Sequence, residues 1–471
     1  VKPLTAYFSF CFLNGFTIHQ KTNPYIFERN VEMEMNIPKI KMPLVSQESF
    51  QHATDVLKRC TADHIIDGVN RPFVAPGGAY GSTMWSLDGA LAVEGYQWLN
   101  PEIGKDLLYN LKQLSTPNGR VKLYTPDKFG HIPNVQEEIG SLPKFFEALY
   151  DAAKRDGTPE FTEEVYILFT KNLNWWFSHR QDPETKLITA VFEETFIPNT
   201  FGGSMEYAPI DTNMEIAAGC YYTALLAQRQ GLAKEAAFYF NKKAEILSAV
   251  NQCLWDSERR AYYGWFIEKK RFDDRLMAST FYGLRFNNAN TEQKRYLFEL
   301  LLDTDSFNWN TYPLTSVSKK DKIFTVIDGA YAGNPCWSGS VWMLINFAVI
   351  QALNESNERD LAAELTYKTL NIFNNNYAEF LHPYNGSGHG VSEYAWTASL
   401  FIKLIIEEIF GIDYNAFTRQ ITIRPNLPEA LKNSCFSIEN LFLPNQKRLD
   451  VRIVNSAVAY SYKGNNMEII L

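Results

Sequence analysis

Asn376-Tyr-Ala-Glu-Phe-Leu-His-Pro-Tyr-Asn-Gly-Ser-Gly-His-Gly, residues 376–390, runs straight into Val391-Ser-Glu-Tyr-Ala-Trp-Thr-Ala-Ser-Leu, residues 391–400. The first stretch is rich in glycine and also holds a proline and two histidines, residues that make loops rather than helices. The second turns at once to helical spacing with aromatic side chains. Loops that feed into a regular element are where folds mount their functional groups, and this one opens on a carboxylate, Glu379. The plainer reading is a connecting turn with a solvated Glu.

Working outward, the same texture recurs. From Ser46 to about Phe410 the apolar residues keep helical periodicity. About twelve helices are expected, near 47–60, 87–98, 101–115, 138–155, 160–177, 212–230, 233–254, 273–285, 291–302, 338–354, 358–375 and 393–409. Ser46, Asp211 and Asn357 stand where N-caps belong, and Pro101 and Pro159 fall at first-turn positions. Long links lead into the next helix at 121–137, 180–210, 261–272, 307–336 and 376–392. Links this long in a compact domain are usually functional. Helices paired by alternating short and long links predict a mainly α fold, an (α/α)6 barrel or six-hairpin toroid. An α-solenoid is the alternative, but no repeat of fixed period is visible.

The ends differ from the middle. Residues 1–45 read as an extended N-terminal segment, with strands expected at 7–12 and 17–19. After Gly411 the period drops to two: 419–428 reads as a strand ending in a turn, and further short strands are expected at 437–443, 448–454, 457–462 and 467–471. The domain plan is therefore 1–45 extended, 46–410 helical barrel, and 411–471 a small C-terminal β appendix. The chain opens on Val1 rather than Met, so residues that precede it are expected, and its compartment is left unassigned.

Composition narrows the function. A net charge of -8 argues against a nucleic-acid partner. No apolar run reaches the roughly 18–20 residues of a transmembrane helix. Six cysteines show no CxxC spacing, and the seven histidines show no HExxH-like spacing, so no metal site is expected. No GxGxxG, P-loop or GxSxG pattern occurs, and no cofactor is expected. Aromatics reach 14%, with 10 Trp and 25 Tyr. Ring faces suit the apolar C–H face of a pyranose, although a large helical core also consumes aromatics.

Five segments, in order, are similar to those of the (α/α)6 glycoside hydrolases of the trehalase and processing-glucosidase type, families 37 and 63, including the mannosylglycerate hydrolases. Met84-Trp-Ser-Leu-Asp-Gly-Ala resembles their Leu-Trp-Asp-Ser-Ala. Ser204-Met-Glu-Tyr-Ala-Pro resembles the Gly-Met/Trp-Asp-Asn-Ser-Pro that carries their general acid. Asp211-Thr-Asn-Met resembles their Asp-Leu-Asn helix start, and Cys336-Trp-Ser-Gly-Ser-Val-Trp their Tyr-Trp-Arg-Gly-Pro-Val-Trp. Residues 379–388 with Tyr394-Ala-Trp-Thr-Ala resemble the segment carrying the base and their Ser-Trp-Thr-Ala helix.

The resemblance implies an inverting, exo-acting glycosidase on an α-linked glucoside or mannoside, with Glu206 as acid and Glu379 as base. In such a pair one carboxyl donates to the leaving oxygen while the other activates water, roughly 6.5–9.5 Å away. Glu193, Glu194 and Asp211 are alternative acids. Trp85, Asp88, Asp211, Trp337, Trp342, His382, His389 and Trp396 are the expected sugar-binding residues. Each Trp serves equally well as plain core, and Asp211 equally well as a helix cap. The chain departs from the family in having Glu206 for its Asp, Ile210 for an Arg, and Ser338-Gly-Ser for Arg-Gly-Pro. The changed acid and the absent arginines feed one rival, a sugar-binding barrel that has lost the acid; a second, an epimerase or lyase, stands because such enzymes also use α/α barrels, and the missing arginines count against it. Detection of released sugar separates them.

Overall fold

The computed structural model describes residues 35–81, 83–124, 139–191, 194–196, 207–326, 338–464 and 466–471, and three of its α-helices start under a capping side chain. Helix α1 (Gln47–Cys60) starts under Ser46, whose side chain accepts from Ser49 N–H. Glu48 lies in its first turn and Lys58 and Arg59 in its last, each matching the helix dipole. Helices α2 (Ser86–Tyr96), α3 (Glu102–Leu114) and α4 (Phe145–Asp156) follow. Gly157, in the left-handed region, ends α4. Pro159 opens α5 (Pro159–His179). Next come α6 (Ile210–Arg229), α7 (Ala233–Cys253), and a 3-10 segment, Ala278–Asn287. A capping box of Asn290 and Gln293 starts α8 (Thr291–Leu302). The short α9 (Thr304–Phe307), α10 (Met343–Glu355), α11 (Arg359–Phe373) and α12 (Ala395–Lys403) complete the series, with a π turn, Leu404–Ile409, prolonging α12.

Burial sorts these elements into two sets. All residues of α2 and of α12 are buried, whereas α1, α3 and α8 each keep an exposed face. The buried set packs neighbour to neighbour: α2 on α4, α4 on α6, α6 on the 3-10 segment, that segment on α10, α10 on α12, and α12 on α2. The other set lies outside it, α3 on α2 and α4, α7 on α6, α11 on α10, and α1 on α12. Each fully buried Leu, Ile or Phe in this core contributes about 1.5–3 kcal/mol.

Several sequence-based boundaries shift for local reasons. The helix expected from 138 begins at Phe145, because Pro143 disfavours helical backbone in the residue before it. The helix expected from 338 begins at Met343, because Val341 exchanges two backbone hydrogen bonds with Leu381. The helix expected at 273–285 is instead 3-10 and breaks at Arg285 and Phe286, where Glu355 takes both the Arg285 guanidinium and the Phe286 N–H. Asp211 is not a cap: Pro209 occupies that position and Asp211 lies inside α6. Asn357 does not cap α11 either. It adopts φ +65 after α10, with Glu358 at the cap.

The C-terminal residues form two small sheets. One is antiparallel in the order Lys39–Lys41, Cys435–Leu443, Lys447–Val454, Ala457–Lys463. The other pairs Ile412–Asn415 with Gln420–Ile423, and the latter in parallel with Glu468–Ile470. The extended N-terminal segment thus contributes an edge strand that its own sequence does not announce. The strands expected at 7–12 and 17–19 lie outside the described residues.

Helices α2 and α12 approach closely at Gly95, whose N–H donates to Ser399 Oγ (2.8 Å) and whose missing Cβ leaves room for the Ser399 carbonyl. Gly95→Ala should therefore cost about 1–3 kcal/mol in urea unfolding. Gly231→Ala, in a left-handed turn with open space around it, should cost only about 1 kcal/mol.

Candidate active site

Glu379 sits immediately before a two-stranded hairpin, Phe380–Leu381 with Gly388–His389. The hairpin fixes it twice: Glu379 N–H donates to Val391 O (2.8 Å), and Val391 N–H donates to Glu379 Oε2 (3.0 Å). Gly390, at φ +72, is obligatory here because a Cβ would collide with that same oxygen. The other oxygen, Oε1, accepts from the Tyr80 hydroxyl (3.0 Å). The Glu379 side chain is buried within the fold rather than solvated, which removes the plain-turn reading.

Asp88 lies in the first turn of α2 and is also buried. The Tyr394 hydroxyl, just before α12, donates to its Oδ1 (2.8 Å). Burial pushes the Asp88 carboxyl up to about 7. The Tyr394 hydrogen bond opposes that rise, and the charge of Glu379 adds to it. Near neutrality Asp88 is therefore partly protonated and can both donate and accept.

Rings line the space around the two carboxyls. Tyr80 stands edge-on to Trp85 and to Tyr394, each at 5.9 Å. Trp85 lies over Tyr124 at 4.5 Å. Tyr394 packs on Trp396 at 4.7 Å, and Trp342 lies between Phe380 (4.8 Å) and Trp396 (6.2 Å). Trp85 and Trp342 hold the positions just before α2 and α10, and Trp396 is the second residue of α12, so all three sit at helix starts. His389 stacks on Phe380 and lies 5.8 Å from His382, whose Nδ1 accepts from Tyr384 N–H (3.2 Å). Both histidines buttress the hairpin that carries Glu379. Among the described residues, no group of His, Cys, Asp and Glu is arranged to hold a metal, and no helix is long and apolar enough to cross a membrane.

Glu379, Asp88, Trp85, Trp342, Trp396, His382 and His389 are thus brought together. The Asp211 Oδ2 accepts from Thr195 Oγ1 and Phe196 N–H, both at 2.7 Å, and ties that loop to α6. Glu194 is locked in a buried pair with Arg180 (2.9 and 3.0 Å) and also accepts from the Gly140 and Val191 N–H groups. Glu206, Glu193 and Trp337 lie outside the described residues. Sequence reasoning missed Tyr80 and passed over Tyr394. The available signal was the Gly-Gly-Ala-Tyr-Gly run at 77–81, a loop built to bring backbone close to something.

The raised Asp88 value has a stability consequence. A buried carboxyl that keeps its proton to higher pH in the folded state loses stability as pH rises from its unfolded value of 3.8 towards about 7. Asn carries no such charge. The Tm difference between Asp88→Asn and the parent chain should therefore move in favour of the variant between pH 5 and pH 8. A difference that does not change with pH would contradict the assignment.

Comparison with known proteins places this site in context. The model of the mannosylglycerate hydrolase MGH1-like glycoside hydrolase domain matches residues 81–397. A mannosylglycerate hydrolase of Rubrobacter radiotolerans is 23% identical over 177 residues, 37% of this chain and only 39% of that protein. Among solved structures, the family 63 mannosylglycerate hydrolase of Thermus thermophilus, in complex with glucose, superposes with a TM-score of 0.62 at 18% identity, over 77% of this chain and 100% of that one. Neutral trehalase of Saccharomyces cerevisiae gives 0.54 at 12% identity, over 78% and 80%. These likenesses are of fold, and both neighbours are (α/α)6 barrels. The family match spans the hairpin of Glu379, the start of α2 and most of the helical core, and the chain belongs to the MGH1-like glycoside hydrolase family.

Proposed function

We propose that the chain is an inverting, exo-acting glycosidase that cleaves an α-linked glucoside or mannoside. The observation that carries this reading is the buried Glu379 carboxylate, aimed by Val391 N–H and Tyr80 and walled by rings, in a chain of this family. In this reading the six inner segments close into an (α/α)6 barrel spanning 46–410. Residues 411–471 form a β appendix and 1–45 an extended lead-in.

The chemistry assigns Glu379 as base. It takes a proton from a water molecule as the water oxygen bonds to the anomeric carbon. Glu206 gives its proton to the leaving oxygen as the glycosidic bond breaks. Trp85 and Trp396 supply ring faces for the sugar, Asp88 pairs with a sugar hydroxyl, and Trp342, His382 and His389 fix the walls. Relatives named for mannosylglycerate suggest a small α-glycoside. Where the family carries arginine this chain has Ile210 and Ser338, which favours an aglycone without a carboxylate.

Glu379→Gln keeps the shape and loses the base. It should retain sugar binding while kcat falls by about 10²- to 10⁴-fold on an aryl α-glucoside or α-mannoside. Near-normal turnover would remove Glu379 from the base role. Proton NMR of the first product should show the β-anomer. The α-anomer appearing first would mean a retaining mechanism, with carboxyls about 5–5.5 Å apart.

A further inference from the structure

Tyr80 reaches Glu379 from a strap that joins the strand Phe73–Val74 to α2. Three glycines frame it in backbone conformations that side chains rarely adopt: Gly77 at φ +119, Gly78 at +47 and Gly81 at +61. Two of them also permit close approach. A Cβ on Gly77 would come within 2.5 Å of the Glu393 carbonyl oxygen, and one on Gly78 within 2.6 Å of Val391 Cγ1. The strap is pinned from both sides. Ala395 N–H donates to Pro76 O (2.9 Å), and Cys60 Sγ donates to the same oxygen (3.8 Å).

The strap therefore lies flush on residues 391–395, the stretch whose Val391 N–H holds one oxygen of Glu379. It delivers the Tyr80 hydroxyl to the other oxygen. Edge-on contacts with Trp85 and Tyr394 fix the phenol ring, so the hydroxyl cannot swing away without disturbing both neighbours. The pairing matters because Glu379 has a second buried carboxyl, Asp88, near enough for the charge of Glu379 to help raise it. A carboxylate beside another carboxyl tends to take up a proton, and donors aimed at its charged form oppose this.

We propose that Tyr80 is a positioning residue for Glu379, whose hydroxyl aims the carboxylate and holds it in the ionised form that can take a proton from water. The inference rests on the reading of Glu379 as base. In that reading Tyr80 need not touch the sugar, and its effect belongs to kcat rather than to KM.

Tyr80→Phe removes only the hydroxyl. On an aryl α-glucoside or α-mannoside, kcat should fall about ten- to hundredfold, the worth of a hydrogen bond to a charged group. KM should change little. The acidic limb of the kcat–pH profile should move to higher pH, because the lost donor favoured the charged carboxylate. Gly78→Ala, which lifts the strap off Val391, should move the same limb the same way, and it reads the same effect should Tyr80→Phe fold poorly. Glu379→Gln is measured alongside. If that variant still hydrolyses normally, the base reading itself fails. If it is inactive while Tyr80→Phe keeps both its kcat and its acidic limb, the role of Tyr80 is overturned and the base reading stands. A raised KM with an unmoved acidic limb would also overturn it.

Discussion

Lys144 is buried to 1% exposure just before α4, and the rest of the core is arranged around the need to pair such charges. It contacts Glu147 (2.8 Å), Glu215 of α6 (3.4 Å) and Gln351 of α10 (2.9 Å). Glu215 is shared with Arg285 of the 3-10 segment (3.0 Å), and Arg285 with Glu355 of α10 (2.7 Å). A second branch runs from Lys403 of α12 to Glu94 of α2 (2.8 Å) and Asp151 of α4 (3.2 Å). Arg155 of α4 and Trp98 meet Glu407 in the π turn. Every inner segment contributes, and α4 joins the two branches. Burial alone would strip Lys403 of its charge, but Glu407, Glu94 and Asp151 more than offset this and hold it well above its ordinary value. Breaking one partner of a buried pair leaves an uncompensated charge at a cost of about 3–5 kcal/mol. The network thus penalises any other packing of the six segments.

That constraint sets where the site can form. Asp88 and Glu94 lie on the same helix, one in its first turn and one near its end. With the lower part of α2 bound to Lys403, its first turn is fixed beside Tyr394, which precedes the same helix that carries Lys403. The carboxyl of Asp88 and the rings at the helix starts therefore inherit their placement from charges buried further down. Glu379 and Tyr80, by contrast, are held by loop backbone, through Gly390, Gly77 and Gly78. Helices supply the walls and Asp88, while glycine-bearing loops supply Glu379 and Tyr80, so the groups mounted on loops stand on a rigid scaffold.

The helices were legible because an apolar face repeats every three to four residues, and that pattern survives whatever packs on it. What failed to show was tertiary. Residues 39–41 become a strand only because Cys435–Leu443 lies alongside. Arg285 leaves helical backbone only because Glu355 waits across the interface. Asp211 looks like a cap, yet its partners Thr195 and Phe196 come from the preceding link. Glu379 could be picked out, since it opens a loop of glycines before an aromatic helix. For Tyr80 the Gly-Gly-Ala-Tyr-Gly run marks only a loop of close backbone approach, and one tyrosine among 25 gains its role when that strap folds it onto the carboxylate.

The most direct test of a hydrolytic site centred on Glu379 is a crystal structure of Glu379→Gln with an intact α-glucoside or α-mannoside bound. The sugar ring should lie between Trp85 and Trp396, with Asp88 on one of its hydroxyls. The anomeric carbon should face the side chain at 379 across a water, and the Glu206 carboxyl should meet the glycosidic oxygen, roughly 6.5–9.5 Å from residue 379. A sugar bound away from these rings, or a different carboxyl at the glycosidic oxygen, would contradict it.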